Sequence, residues 1–181
     1  MLQIAVQGRE FYDEAANRVV TVKGQTIQLE HSLVYLSKWE RKWKTPFLNK
    51  TDMTREMSLD YVRCMTLTQN VNPDLYENLT EEDLTAIRDY IDDPMTATWF
   101  KKTNRPPNRD VITNEIIYYW MITFGIPFDP CQKWHLNRLL TLIRVCDEKS
   151  APGRKKMSKR QAAAQYKDLN AMRKARLGTR G

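Results

Sequence analysis

Apolar positions fall into two regimes along the chain. Between Leu2 and Leu29 they alternate loosely or gather in short β-branched runs: Leu2-Gln3-Ile4-Ala5-Val6, Val19-Val20-Thr21-Val22 and Thr26-Ile27-Gln28-Leu29, the last two split by Lys23-Gly24. That pattern predicts a small antiparallel β-sheet over residues 2–30, with a second turn near Asp13 to Asn17. Beyond Glu30 the spacing changes to three and four. Ser32 is placed to cap a helix carrying Leu33, Leu36, Trp39, Glu40 and Trp43, which Thr45-Pro46 stops. Met57, Tyr61, Cys64 and Met65 predict a second helix over Thr54 to Thr66. Thr80, followed by Glu81, Glu82 and Asp83, starts a third, because three carboxylates sit at the positive end of the helix dipole. Leu84, Ile87, Tyr90 and Ile91 form its expected buried face, and Asp92-Asp93-Pro94 ends it.

The most apolar stretch is Thr113 to Cys146, which predicts a buried helical hairpin around which the rest packs. Its first arm, Ile116 to Phe124, holds no charge, so it is expected to be covered by protein on every face. A bilayer is excluded by length, since Gly125, Pro127 and Asp129 interrupt the run well short of the roughly 20 apolar residues a span needs. Thr113 is the expected cap, Glu115 the first-turn carboxylate and Gly125 the left-handed residue after the helix. The second arm places Leu136, Leu139, Leu140 and Ile143 on one face. The fold class is therefore mainly α: a helical domain over residues 1–148 with a small amino-terminal sheet, then a basic arm at 149–181.

Charge sharpens that division. The 181 residues carry a net +7, yet the stretch from Lys149 to the end holds eleven basic residues and one acidic residue, a net +10, while the first 148 residues are at −3. After a linker containing Pro152 and Gly153, Ser158 is placed to cap a helix of about 20 residues, about 30 Å long. Its apolar stripe is thin, with Tyr166, Leu169 and Met172 as its larger members. Such a helix gains little by folding back, so it is expected to project and to order on a partner. The candidate partner-binding residues are Arg154, Lys155, Lys156, Lys159, Arg160, Tyr166, Leu169, Met172, Arg173, Lys174 and Arg176. Phosphate backbones and acidic protein surfaces both suit this charge.

Candidate chemistry elsewhere is sparse. Cys131 and His135 have metal-compatible i, i+4 spacing on a helix, but a zinc site needs three or four ligands and only His31 and two distant cysteines remain. The same pair lacks an orienting group and oxyanion donors for thiol catalysis. No glycine-rich phosphate loop is present among six glycines. Hence no catalytic, cofactor or metal residue is expected. Trp39 and Trp43, interleaved with Lys38, Arg41, Lys42 and Lys44, read as core-facing indoles in preference to a base-stacking platform. The basic, proline-bearing loop from Lys101 to Arg109 reads as an exposed loop. Three cysteines without paired spacing suit free thiols, and the absence of a basic and apolar leader suits a reducing cytoplasm.

The strings LEHSLVYLSKWERKWKTPFL (29–48), YVRCMTLTQNVNPDLY (61–76), ITNEIIYYWMITFGIPFDPCQKWHLNRLLTLIRVC (112–146) and KKMSKR (155–160) resemble a family of tailed-bacteriophage tail morphogenesis proteins, the tail assembly chaperones. The resemblance covers nearly the whole chain. It implies a non-catalytic protein that binds the tape-measure protein in the host cytoplasm and keeps its long helices soluble until tail-tube subunits polymerise around them. A permanent virion component at the capsid, connector or tail, its arm wrapping neighbouring subunits, and a nucleic-acid-binding module using the arm are the alternatives. A homo-oligomer is compatible with each.

Overall fold

The structure, a computed structural model, describes residues 1–14, 17–49, 53–100 and 110–150. The chain divides into two compact units, Met1–Val145 and Cys146–Gly181. All eleven candidate residues of the arm lie outside the described residues, as does the loop at 101–109.

The protein is mainly α, with a small antiparallel β region at its amino end. Four strands, β1 (Leu2–Val6), β2 (Arg9–Asp13), β3 (Arg18–Val22) and β4 (Gln25–Leu29), form two two-stranded ladders, β1 with β4 and β2 with β3. The register pairs Leu2 with Leu29 and Val6 with Gln25 in the first ladder, and Arg9 with Val22 in the second. This is one long hairpin pinched where Gly8 faces Gly24. A Cβ on Gly8 would stand 2.7 Å from the Gly24 nitrogen and from the Val22 carbonyl oxygen, so a side chain there would force the strands apart. Ile4, Val6, Val22, Ile27 and Leu29 point inward.

Six α-helices are described: α1 (Leu33–Trp43), α2 (Arg55–Met65), α3 (Glu81–Asp92), α4 (Asn114–Thr123), the four-residue α5 (Phe128–Cys131) and α6 (Leu136–Ser150). Local chemistry accounts for most of their ends. The Thr54 hydroxyl accepts from the Met57 amide to start α2. At α3, Thr80 and Asp83 form a reciprocal capping box. Lys44, at φ 55°, closes α1 in the left-handed region, its amide donating to the Glu40 carbonyl. Gly125 follows α4 at φ 64°, as its position in the sequence predicts. Ser32 precedes α1 but makes no side-chain cap bond.

Helix α1 sits at the middle of the described core. Leu33, Leu36 and Trp39 are at most 1% exposed, and Trp39 meets Phe47 and Tyr61 edge to face at 5.3 and 6.2 Å. The indole N–H of Trp39 donates to the Met57 carbonyl, and that of Trp43 to Asp60. Both tryptophans thus face α2, as core-facing indoles should. Met65 of α2, Ile117 and Met121 of α4, and Leu136 and Leu139 of α6 complete the buried set.

Two expectations for the hairpin need correction. Helix α4 is not covered on every face among the described residues: Tyr119 and Ile122 are 64% and 67% exposed. Lack of charge shows that a helix has no strongly solvated face, but does not say how many neighbours it has. Nor are Cys131 and His135 one turn apart on a helix. Cys131 ends α5, residues 132–134 turn, and His135 forms an antiparallel bridge with Ser32.

Candidate functional site

The residues that combine shape with chemistry lie between α2 and α3. Helix α2 presents Arg55, Ser58, Leu59 and Val62 along one stripe, and α3 presents Glu81, Leu84, Ile87, Arg88, Ile91 and Asp92 along another. With Phe47, Met53 and Tyr61 they enclose a groove of about 510 Å³. The floor is apolar, since Phe47, Leu59, Val62 and Ile87 are buried, while Leu84 and Ile91 on the wall stay half-buried. Arg55, Glu81, Arg88 and Asp92, all exposed, supply a rim of mixed sign.

The groove exists because α3 is anchored away from α2. At its carboxyl end, the Tyr90 hydroxyl donates to Glu30, and Asn137 donates to the carbonyls of Ile91 and Asp93. Its amino end is satisfied within itself by the Thr80–Asp83 box. Helix α2 is instead drawn to α1 by the two indole bonds and by Lys42, which reaches Asp60 at 2.5 Å. Sequence reasoning put Leu84, Ile87, Tyr90 and Ile91 on one buried face. Ile87 and Tyr90 are buried there, and Leu84 and Ile91 line the groove.

A second apolar feature is the outer face of α4, where Tyr119 and Ile122 are exposed; Phe128, 43% exposed, packs edge to face on Tyr118 at 5.3 Å. Trp99, at 77% exposure, is a further large apolar side chain in solvent.

A cluster of polar side chains is buried around His31 and His135. His31 Nδ1 lies 2.5 Å from the Tyr61 hydroxyl, the rings of His31 and His135 meet edge to face at 5.1 Å, and His135 Nε2 lies 2.9 Å from the Tyr90 carbonyl oxygen. Ser32 Oγ and His135 Nδ1 have no hydrogen-bond partner. Ser32 and His31 are each 1% exposed. Among the described residues no group of three His, Cys, Asp or Glu side chains is arranged to hold a metal ion, and no helix is long and apolar enough to cross a membrane. Cys64, Cys131 and Cys146 are free thiols.

This cluster makes stability depend on pH. Burial pushes the His135 imidazole below its ordinary pKa of 6.5, against the opposing pull of the Tyr90 carbonyl and the carboxylates of Glu30 and Asp93. The unfolded chain therefore binds a proton more readily than the folded one. The neutral ring's contribution is complete above about pH 6.5 and is lost as pH falls from there toward the folded value. Chemical denaturation between pH 7.5 and 5 is expected to show falling stability in the wild type and a flatter profile in His135→Gln. Parallel profiles would contradict the assignment.

Comparison with protein-family models, with curated proteins and with solved structures found no match for the chain.

Proposed function

We propose that this chain is a non-catalytic phage morphogenesis protein that acts by protein–protein contacts in tail assembly, as a chaperone of the tape-measure protein in the host cytoplasm. The observation that carries this reading is the α2–α3 groove, whose apolar floor and mixed-charge rim suit an amphipathic helix laying its i, i+3, i+4 and i+7 stripe into it. A long helical client presents many such stripes. In this reading α4 and α6 are scaffold, and the basic stretch from Lys149 to Gly181 adds charge-driven contact through Arg154, Lys155, Lys156, Lys159 and Arg160, and again through Arg173, Lys174 and Arg176, with Tyr166, Leu169 and Met172 as its larger apolar residues.

The exposed Tyr119, Ile122 and Phe128 also suit a lasting subunit contact, which is the reading of a permanent virion component. One experiment separates the two. Co-expressed with the full chain, the tape-measure protein is expected to remain soluble, and Leu84→Asp with Ile91→Asp is expected to abolish that effect by placing carboxylates on the groove wall. Mature virions should then lack the chain. Stoichiometric presence in purified particles, measured by mass spectrometry, would overturn the chaperone role. Partner binding that is lost with residues 149–181 and falls steeply with salt in the presence of DNA or RNA would favour the nucleic-acid reading.

A further inference from the structure

A second recess, of about 600 Å³, opens between the carboxyl-terminal half of α1 and the start of α4. Lys38, Arg41 and Lys44 line one side at three-residue spacing; Thr113, Asn114 and Glu115 line the other. The balance of free charge there is not what a count of residues suggests. Glu40, buried at the base, is fully engaged: one carboxylate oxygen accepts from the Phe47 amide at 2.8 Å, the other from the Asn114 amide and side chain at 2.8 and 2.7 Å. Glu115 is turned onto its own helix end, where its own backbone N–H and the side chains of Thr113 and Asn114 hold its carboxyl below the usual range.

The cations are not so engaged. Among the described residues no carboxylate lies within ion-pair distance of Lys38, Arg41 or Lys44, and Lys38 rests its ammonium 4.9 Å from the centre of the Tyr35 ring. Their neighbour Lys42, on another face of α1, is paired with Asp60. The cleft therefore offers three cations without an ion-pair partner among the described residues, beside two carboxylates, Glu40 and Glu115, that keep their charge but have oxygens occupied by nearby donors.

From this we infer that the cleft binds a short acidic segment of another protein chain, its carboxylates pairing with Lys38, Arg41 and Lys44. The six residue steps from Lys38 to Lys44 spread the three cations over about 9 Å, the reach of about three residues of extended peptide. Two or three carboxylates in close succession match that span. Nucleic acid is the poorer fit, because among the described residues no aromatic side chain lines the cleft, and Trp39 is 1% exposed. This site is separate from the α2–α3 groove. Pro46 lines the cleft and Phe47 the groove, so the two recesses flank one turn of chain.

The basic arm would also attract an acidic peptide, so the readout must be local. Full-length 15N-labelled protein is titrated with acetyl-hexaglutamate amide, and separately with hexathymidylate, while the amides of Arg41, Lys44, Thr113 and Asn114 are followed by NMR. Saturable shifts at these amides with hexaglutamate are expected. In Arg41→Glu with Lys44→Glu the apparent Kd at the same amides should rise at least about tenfold, with spectral dispersion retained and shifts in residues 149–181 still present. Both substitutions lie at exposed positions, and Arg41→Gln with Lys44→Gln, which adds no repulsion, should give a smaller rise in the same direction. Unmoved cleft amides, equal affinity in the charge-reversed variant, or tighter binding of hexathymidylate there would each overturn the proposal.

Discussion

Replacing Trp39 with alanine is expected to cost about 3–5 kcal/mol of folding stability, the range for truncating a fully buried large aromatic. The indole is 1% exposed and serves three neighbours at once. Its ring packs edge to face on Phe47 and Tyr61, and its N–H donates to the Met57 carbonyl at 2.9 Å. Alanine leaves a cavity at the α1–α2 contact and removes the donor to that carbonyl. Trp39→Phe keeps an aromatic filler and loses the hydrogen bond, so its cost should be smaller, about 1–3 kcal/mol. Urea denaturation of the two variants measures both; a loss below about 1 kcal/mol for the alanine variant would mean that α1 is not the centre of the core.

Glu40→Ala is expected to be nearly as damaging, about 3 kcal/mol or more, for a different reason. Its carboxylate accepts from three donors: it closes the turn after α1 through the Phe47 amide, and it caps α4 through the Asn114 amide and side chain. Thr113, the residue whose hydroxyl would ordinarily do that capping, makes no side-chain cap bond. Removing Glu40 strands these donors in a site where only 6% of the residue is exposed. Glu40→Gln retains one acceptor but turns an amide N–H toward the other donors, so it should fall between wild type and alanine. Thermal denaturation orders the three proteins, and an alanine variant as stable as the glutamine variant would contradict the junction.

Local chemistry was the legible part of this fold. The helix start at Thr80 and the left-handed Gly125 act within a turn of their own positions, and the structure uses both where the sequence predicts them, while the Thr54 cap and the Asp83 half of the Thr80 box were not read from the sequence. What depended on distant neighbours was hidden. Strand β2, Arg-Glu-Phe-Tyr-Asp, carries charge at three of five positions and leaves Tyr12 56% exposed, so no alternation announced it. The pairing of Leu2 with Leu29, and the bridge from Ser32 to His135, are set by packing between segments far apart in sequence. Glu40 looked like part of an apolar stripe with a misplaced charge; only the arrival of Phe47 and Asn114 explains why a carboxylate belongs there. The groove was not legible, because Leu84, Ile87, Tyr90 and Ile91 read as an ordinary buried face. The arm stood out by its charge, and its residues from 151 onward lie outside the described part of the structure.

The central claim is that the body meets a helical client through the face shared by α2 and α3, with the charged arm in support. Hydrogen–deuterium exchange of the full chain, alone and with a helical tape-measure fragment, tests this directly. The account predicts added protection across Arg55–Met65 and Glu81–Asp92 in the wild type, and none in Leu84→Asp with Ile91→Asp. Binding that leaves both helices unprotected in the wild type, with all added protection in residues 149–181 or on α4, would contradict it.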